Sequence, residues 1–176
     1  MSQLDRQLGI FPFKHEGFTF SLFMESDITP EYMTWLNDTL HMRYSQQAEM
    51  VHTPETSKAY LESFQGTPNL FLSINHKSTF VGTCTIYINE YGLQGNIGIM
   101  IGREHAHKGL GKRIWKILVE LIAPRIGLRE VIAGTRVDNS AMISLFEAAH
   151  MERIRLLESG LTDELQNKYV EYRISY

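Results

Sequence analysis

The spacing of apolar and polar residues predicts alternating blocks of strand and helix along the chain. Segments that alternate with a period of two, or that are dense in β-branched and aromatic residues, are the predicted strands: 18–25, 70–74, 80–88, 95–101, 130–136, 153–157 and 169–174. Segments whose apolar residues recur every three or four positions are the predicted helices: 30–37, 40–44, 54–66, 112–123 and 140–149.

This order of elements predicts a single α/β domain over residues 1–176, in which residues 1–15 form a lead-in segment. Helices that must bury an apolar face pack naturally on a sheet, so we expect a mixed central sheet of about seven strands flanked by about four helices. The strand–helix–strand unit 97–136 predicts two parallel strands joined by a crossover. The last two strands are expected to pair through the connection Ser159–Asn167.

Composition narrows the class of protein without identifying it. The 176 residues are 43% hydrophobic and 21% charged, with a net charge of −3, so bulk charge gives no indication of nucleic-acid binding. Cys84 is the single cysteine, which excludes an intrachain disulfide. No apolar stretch is long enough for a membrane helix and the N-terminus lacks a signal-peptide pattern, so we expect a cytoplasmic protein that binds no membrane.

The segment Asn96–Ala123 predicts a strand, a small basic loop and then an amphipathic helix. Backbone N–H groups at a helix start are unpaired and favour an anion. Gly109 and Gly111 would leave that backbone uncovered, while Lys108 and Lys112 add positive charge. The loop therefore predicts phosphate binding, with an ordinary strand-to-helix turn as the alternative.

Three segments carry motifs that point to a known family. They read IGIMIGREHAHKGLGKR at 97–113, VDNSAMISLFEAAHM at 137–151 and DITPEYMTWLND at 27–38. Together they resemble the GNAT superfamily of acetyl-CoA-dependent N-acetyltransferases, over about residues 18–174. The third segment is similar to the subgroup of ribosomal-protein alanine acetyltransferases and of acetyltransferases in surface-sugar pathways.

The resemblance implies a site for acetyl-CoA. Backbone groups of the strand would pair with the pantetheine arm, the loop would hold the pyrophosphate through its N–H groups, and an asparagine on the later helix would bond near the pantetheine amides. The strand residues in this role would be Ile99, Met100 and Ile101, and the asparagine would be Asn139. The loop residues would be His107, Lys108, Gly109, Leu110, Gly111 and Lys112. Strand 130–136 would splay from strand 97–101 and leave a gap for the thioester.

Several positions depart from the family pattern. Ala106 and His107 stand where the loop usually has glutamine or arginine and then glycine. Phe146 replaces the tyrosine that often protonates the leaving thiolate, and His150-Met151 replaces a closing Gly-Phe. Asn96 replaces a glutamate that is common on the central strand. The loop departures keep the backbone donors, but two transferable catalytic side chains are absent.

Acetyl transfer to an amine needs a proton acceptor, an oxyanion donor and good positioning. The candidates for proton handling are Asn96, through an ordered water, Glu90 in the hairpin turn and Tyr87 on the preceding strand. The backbone near Met100 and Ile101 is the candidate oxyanion donor. We expect no metal, because the two histidines of His105-Ala106-His107 stand at a poor spacing for metal ligation.

The sequence leaves the acceptor open. In this fold the first helices border the acceptor site, so Trp35, Asn37 and Asp38 are candidate substrate contacts. The preferred hypothesis is direct acetylation of a small-molecule primary amine, such as a nucleotide-linked amino sugar. The alternatives are the N-terminal amine of a ribosomal or other protein, and a regulatory CoA-binding protein without catalysis. A homodimer is left open.

Overall fold

A computed structural model describes residues 9–45, 48, 50–158 and 168–176. Within them, eight strands form one mixed sheet in the order β1-β2-β3-β4-β5-β6-β8-β7. The strands are β1 Phe13–His15, β2 Phe18–Leu22, β3 Leu70–His76, β4 Thr79–Ile88, β5 Gln94–Ile101, β6 Glu130–Arg136, β7 Glu152–Glu158 and β8 Lys168–Ser175. The predicted mixed α/β fold is thereby confirmed. Among the described residues, none of the helices has the length and hydrophobicity that a bilayer span requires.

The N-terminal part of the sheet differs from the prediction in two ways. Part of the expected lead-in segment is strand β1, which pairs antiparallel with β2; residues 1–8 lie outside the described residues. Strand β2 ends at Leu22 instead of Glu25, because a 3₁₀ turn, Glu25–Asp27, follows it. The carboxylate of Asp27 accepts a hydrogen bond from the Met24 N–H and stops the extended run.

Three of the described helices begin at the residues that their capping signals predict, whereas the helix predicted from residue 112 begins two residues earlier, at Leu110. The described helices are α1 Pro30–Asn37, α2 Pro54–Glu62, α3 Leu110–Lys116, α4 Ala123–Arg125 and α5 Ser140–Ala148. Thr29, Thr53 and Asn139 are the N-caps of α1, α2 and α5, and each side chain accepts a hydrogen bond from a first-turn N–H. The predicted short helix at 40–44 is wrong, because the described residues there form successive turns.

The crossover between β5 and β6 is one continuous helical run with a change of geometry inside it. Helix α3 passes directly into a π-helical segment, Ile117–Ile122, and then into α4. Ile117, Leu118 and Val119 of this segment are buried in succession, so the run is covered over a wider arc than the apolar stripe of a surface helix. The parallel pairing of β5 and β6 confirms the predicted crossover unit.

The described apolar residues form two packed clusters on the sheet. The larger cluster places the helical run and α5 against the sheet, with Trp115 and Phe146 in contact at 5.1 Å between ring centroids. The smaller cluster packs α1 and α2 on the sheet around Trp35 and Phe71. The two helical layers thus lie against different groups of strand residues, and the cavity described next is lined by residues of α1 and α2.

Candidate active site

Strands β5 and β6 pair only at their first residues and then separate. The parallel register covers Gln94, Gly95 and Asn96 opposite Glu130, Val131 and Ile132. On its other side, β5 pairs with β4 from Gly95 to Ile101. Beyond Asn96, the β6-facing edge of β5 therefore has no strand partner among the described residues. The splay that the family resemblance implied for this pair of strands is present.

A cavity of about 740 Å³ opens at this separation. Its floor is made by alternate residues of two paired strands, because side chains two positions apart share one face of a sheet. These residues are Thr83, Thr85 and Tyr87 of β4 and, directly opposite them, Met100, Gly98 and Asn96 of β5. The size lies within the range of small-molecule sites.

The loop that leads from β5 into α3 has a backbone suited to binding an anion. Gly109 is the N-cap of α3 with a φ of +73°, and no side chain caps the helix. His107 has a φ of +59°, in the left-handed region that favours glycine. This conformation explains why the family pattern usually has glycine at the position of His107. Two left-handed residues next to an uncapped helix start form the kind of concave backbone that holds phosphate.

The remaining loop residues divide into an exposed side and a packed side. His107, Lys108 and Lys112 are exposed, whereas Leu110 is buried in the core. A Cβ atom added to Gly111 would lie 3.6 Å from Leu145, which is an ordinary contact distance. Gly111 therefore lets α3 pack closely on α5, but its backbone does not have the left-handed conformation that favours glycine. Of the two loop glycines, Gly109 is therefore the one whose backbone conformation favours glycine.

Asn139 lies at the start of α5, near the end of the separated strand β6. Its Oδ1 accepts a hydrogen bond from the Met142 N–H at 3.2 Å, and its Nδ2 donates to the Thr135 hydroxyl at 2.9 Å. Thr135 in turn lines the cavity. The amide is thus held in one orientation by the protein, with one further lone pair and one further N–H that a ligand could use.

Two of the three predicted catalytic residues face each other at the cavity. Tyr87 and Asn96 are direct cross-strand partners, and both line the cavity. The Tyr87 hydroxyl also shares a hydrogen bond of 2.7 Å with the hydroxyl of Tyr60 from α2. Burial, followed by this hydrogen bond, raises the pKa of Tyr60, so its hydroxyl stays protonated at neutral pH. The pair links α2 to the sheet above the floor of the cavity.

Glu90, the third predicted catalytic residue, does not belong to this group. It lies exposed in the turn between β4 and β5 and does not line the cavity. The turn carries it past the end of the strand pair, so the alternation that directs Tyr87 toward the cavity does not extend to it. The structure therefore does not bring Glu90 together with Tyr87 and Asn96.

The three predicted acceptor contacts are also outside the cavity lining. The Trp35 side chain is only 2% exposed, and its Nε1 donates to the Glu104 carboxylate at 3.0 Å. Asn37 bonds to the backbone of His52, and Asp38 pairs with Arg103 at 2.8 Å. The neighbouring face of α1 borders the cavity instead, through Tyr32 and Leu36, which stand one helical turn apart.

Tyrosine side chains supply much of the lining, and the sequence analysis identified only Tyr87 among them. Five tyrosines line the cavity, together with one carboxylate that is paired with Arg155. They are Tyr32, Tyr44, Tyr60, Tyr87 and Tyr169, with Glu171 as the carboxylate. The strand positions of Tyr169 and Glu171 alternate on β8 and could have been grouped by their period of two. Nothing in the local pattern marks Tyr44 or Tyr60.

Of the strand residues expected at the cofactor, Ile99 and Met100 line the cavity and Ile101 does not. Ile101 is instead the last residue of β5, paired with Gly82 of β4. A Cβ on Gly82 would lie 2.2 Å from the Met100 carbonyl oxygen, so this glycine allows the two strands to approach. The close pairing keeps the unpaired edge of β5 in place beside the cavity.

Comparison with known families identifies this arrangement. A model described as an acetyltransferase (GNAT) domain matches residues 18–152, most of the chain. The fold and site therefore define an acyltransferase. The chain belongs to the GNAT acetyltransferase family, and the resemblance predicted from its motifs is confirmed. No curated protein sequence matches the chain at a significant level.

Solved structures with the same fold have low sequence identity to the chain. Spermidine N-acetyltransferase from Vibrio cholerae, solved with CoA and spermine, is 14% identical with a TM-score of 0.79, over 92% of this chain and 96% of that one. Ribosomal-protein-S5-alanine acetyltransferase from Vibrio fischeri is 15% identical with a TM-score of 0.76, over 93% and 95%. The microcin C7 self-immunity acetyltransferase MccE, solved with acetyl-CoA and AMP, is 14% identical with a TM-score of 0.77, over 92% and 94%. At such identity these likenesses establish the shared fold.

Proposed function

We propose that the protein transfers an acetyl group from acetyl-CoA directly to a primary amine. The observation that carries the proposal is the separation of β5 from β6 beside a loop with two left-handed residues, His107 and Gly109. The unpaired edge of β5 offers backbone groups to an extended chain such as pantetheine, in the manner of an added strand. The loop and the uncapped start of α3 offer N–H groups to a pyrophosphate.

The residues present fit such a cosubstrate, whose thioester supplies the activated acetyl group when bound. The N–H of Gly102 donates to the Val81 carbonyl oxygen of β4, so by alternation the N–H of Ile101 points to the unpaired edge, and we assign it as the donor to the developing oxyanion. Asn96 orients a water that takes the proton from the attacking amine, since its own amide is no base. The hydroxyls of Tyr87 and Tyr60 continue that path, because one hydrogen bond already joins them.

The lining of the cavity favours a neutral or cationic acceptor. Among the described residues, no lysine or arginine lines it, and the tyrosine rings present electron-rich faces that attract ammonium groups. A nucleotide-linked sugar brings phosphates that this lining would not pair with. We therefore propose a small cationic amine as the acceptor, ahead of a nucleotide-linked amino sugar. The Vibrio cholerae enzyme solved with spermine is a precedent for such an amine in this fold.

A protein N-terminus is the second candidate acceptor. The fold is shared with the ribosomal-protein-S5-alanine acetyltransferase of Vibrio fischeri. A peptide N-terminus is also cationic, so the same tyrosine lining suits it.

A thiol-release assay separates these acceptors. Acetyl-CoA is mixed with spermidine, with short peptides that carry a free N-terminus, and with a nucleotide-linked amino sugar. We expect CoA release with spermidine above that with the peptides and with the sugar. Turnover on the nucleotide-linked sugar alone would overturn the acceptor class, and tight acetyl-CoA binding without turnover on any amine would favour a regulatory CoA-binding protein.

The cofactor loop has its own test in Gly109→Ala. A left-handed alanine costs about 1–2 kcal/mol, so the loop leaves its binding conformation and acetyl-CoA affinity falls by about tenfold, as calorimetry would measure. Gly66→Ala is the matched control, because Gly66 has a φ of +71° with nothing within 4 Å of an added Cβ, as at Gly109. The loop assignment is wrong if Gly109→Ala binds normally, or if Gly66→Ala weakens binding equally.

A further inference from the structure

A group of metal-ligating side chains lies beside the site and takes no part in the proposed reaction. Glu31 stands in the first turn of α1, and Glu104 and His105 stand in a 3₁₀ turn, Arg103–His105, just ahead of the cofactor loop. One donor atom from each of the three lies within 4.8 Å of the other two. Two carboxylates and an imidazole from separate parts of the chain are therefore brought to one point.

The imidazole of His105 has an unusual environment. Its side chain is only 14% exposed, and its Nε2 is inaccessible to solvent yet makes no hydrogen bond to any described residue. That nitrogen lies 3.5 Å from Oε1 of Glu104, so it points into the group. A buried polar atom without a partner is costly, and natural structures rarely keep one without a reason. A bound cation would supply the partner.

The two glutamates bring like charges to one place. One carboxylate oxygen of each lies within 4.8 Å of the other, so a bound cation would neutralise both carboxylates at once. Both glutamates remain exposed, which leaves room for water on the outer side of the group.

Glu104 is also held in place from behind. Nε1 of Trp35 donates to both of its oxygens at 3.0 Å. Gly102 permits this approach, because a Cβ there would lie 2.3 Å from the indole ring. Donors that orient a ligating carboxylate in this way are typical of metal sites.

We propose that Glu31, Glu104 and His105 bind one divalent transition-metal ion, with zinc as the best match. An imidazole nitrogen with carboxylate oxygens and one water suits tetrahedral zinc, whereas magnesium and calcium prefer oxygen ligands alone. Ligands at about 2.0–2.1 Å from zinc stand roughly 3.4 Å apart, so the exposed glutamates need only a small inward movement.

This site revises the expectation of no metal. The sequence pattern drew attention to His105 and His107, whose spacing is poor, but His107 is not part of the group. The carboxylate Glu31 comes from a distant helix, so no local motif reveals the set. The ion would join α1 to the turn ahead of Gly109. None of its three ligands lines the acceptor cavity, and its binding does not depend on the proposed reaction.

Calorimetric titration of the full chain tests the site. The protein is stripped with chelator and titrated separately with Zn²⁺, Mg²⁺ and Ca²⁺. We expect one Zn²⁺ per chain, a higher melting temperature with Zn²⁺, and binding of Mg²⁺ and Ca²⁺ that is at least tenfold weaker. Glu31→Gln and His105→Gln should each weaken Zn²⁺ binding at least about tenfold.

The controls are Glu55→Gln and His150→Gln, which alter exposed residues outside the group. They should leave Zn²⁺ affinity unchanged. Circular dichroism without metal reports whether each variant folds. Glu31 is exposed, so its variant keeps the test decisive even if His105→Gln does not fold. The proposal is overturned by Zn²⁺ binding that survives both ligand variants, by equal losses in the controls, or by no binding in the parent chain.

Discussion

The two neighbours of β5 hold it in different ways. On one side, β4 pairs with it along seven residues, from Gly95 to Ile101. On the other side, β6 pairs with it at three residues and then turns away. The first contact makes a continuous floor, and the second leaves backbone groups exposed at the point where the cavity begins. One strand thus serves both as a rigid support and as an open edge.

Tight packing around the site is needed where β5 meets β4 but not where β5 and β6 separate. Where β5 meets β4, a glycine is needed because Gly82 lies against the Met100 carbonyl. Where β6 turns away, Gly134 faces the cavity, and an added Cβ would lie 3.3 Å from the Glu171 side chain and at an ordinary contact distance of 3.5 Å from the Val170 carbonyl oxygen. A flexible side chain can move aside, whereas a paired backbone cannot.

The largest expected effect comes from Gly82→Ala. The new Cβ would force β4 and β5 apart, so we expect a loss of about 3 kcal/mol or more in the free energy of unfolding. Denaturant melts monitored by circular dichroism measure it. Gly134→Ala is the counterpart across the gap and should change stability by less than about 1 kcal/mol. Equal losses in the two variants would show that the two contacts of β5 do not differ as described.

A smaller effect is expected at the hydroxyl pair above the floor. Tyr87→Phe or Tyr60→Phe breaks the shared hydrogen bond of 2.7 Å and should lower kcat/KM for the amine by about tenfold, less than the loss of a complete general base. Steady-state kinetics with saturating acetyl-CoA measure it.

The double variant sharpens this prediction. If the hydroxyls act as one path, Tyr60→Phe adds nothing once Tyr87→Phe is present. Tyr91→Phe is the control, because Tyr91 is 74% exposed in the turn after β4. Independent, additive losses would contradict a shared path.

The smallest effect is expected at Asn139, on the separated side of the site. Asn139→Ala removes the N-cap of α5 and the bond to Thr135, so stability should fall by about 1 kcal/mol. Asn139→Asp keeps a cap acceptor and should restore most of the loss in a thermal melt. A melting temperature unchanged by Asn139→Ala would show that the cap does not stabilise this end of β6.

Much of the fold could be predicted because its signals are local. Thr29 and Thr53 each precede a proline at a helix start, and the alternation in β4 identifies which residues share a face. Asn96 and Tyr87 lie side by side because a hairpin brings residues at equal distances from its turn opposite each other, and their catalytic role stays a prediction. The loop with Gly109 was found from strand, glycine and helix signals in succession.

The rest depends on contacts that no local pattern contains. Tyr60 meets Tyr87 only because α2 packs on the sheet, and Glu31 meets His105 only because α1 lies against the turn after β5. Trp35 looked suitable for binding but is buried under Gly102, whose missing side chain makes room for it. The left-handed conformation of His107 is indicated only by the family pattern, which usually has glycine at that position, because a histidine by itself does not predict it.

Because of the π turn at Ile117–Ile122, the two ends of the helical run between β5 and β6 need not keep a fixed rotation relative to each other around the helix axis. Each residue of an α-helix turns about 100° around the axis, so one residue more or fewer rotates everything that follows. A wider turn absorbs such a length difference locally. The loop end of the run, which faces the phosphate site, can therefore change in length during evolution while Ile122 and Ala123 keep their places in the core.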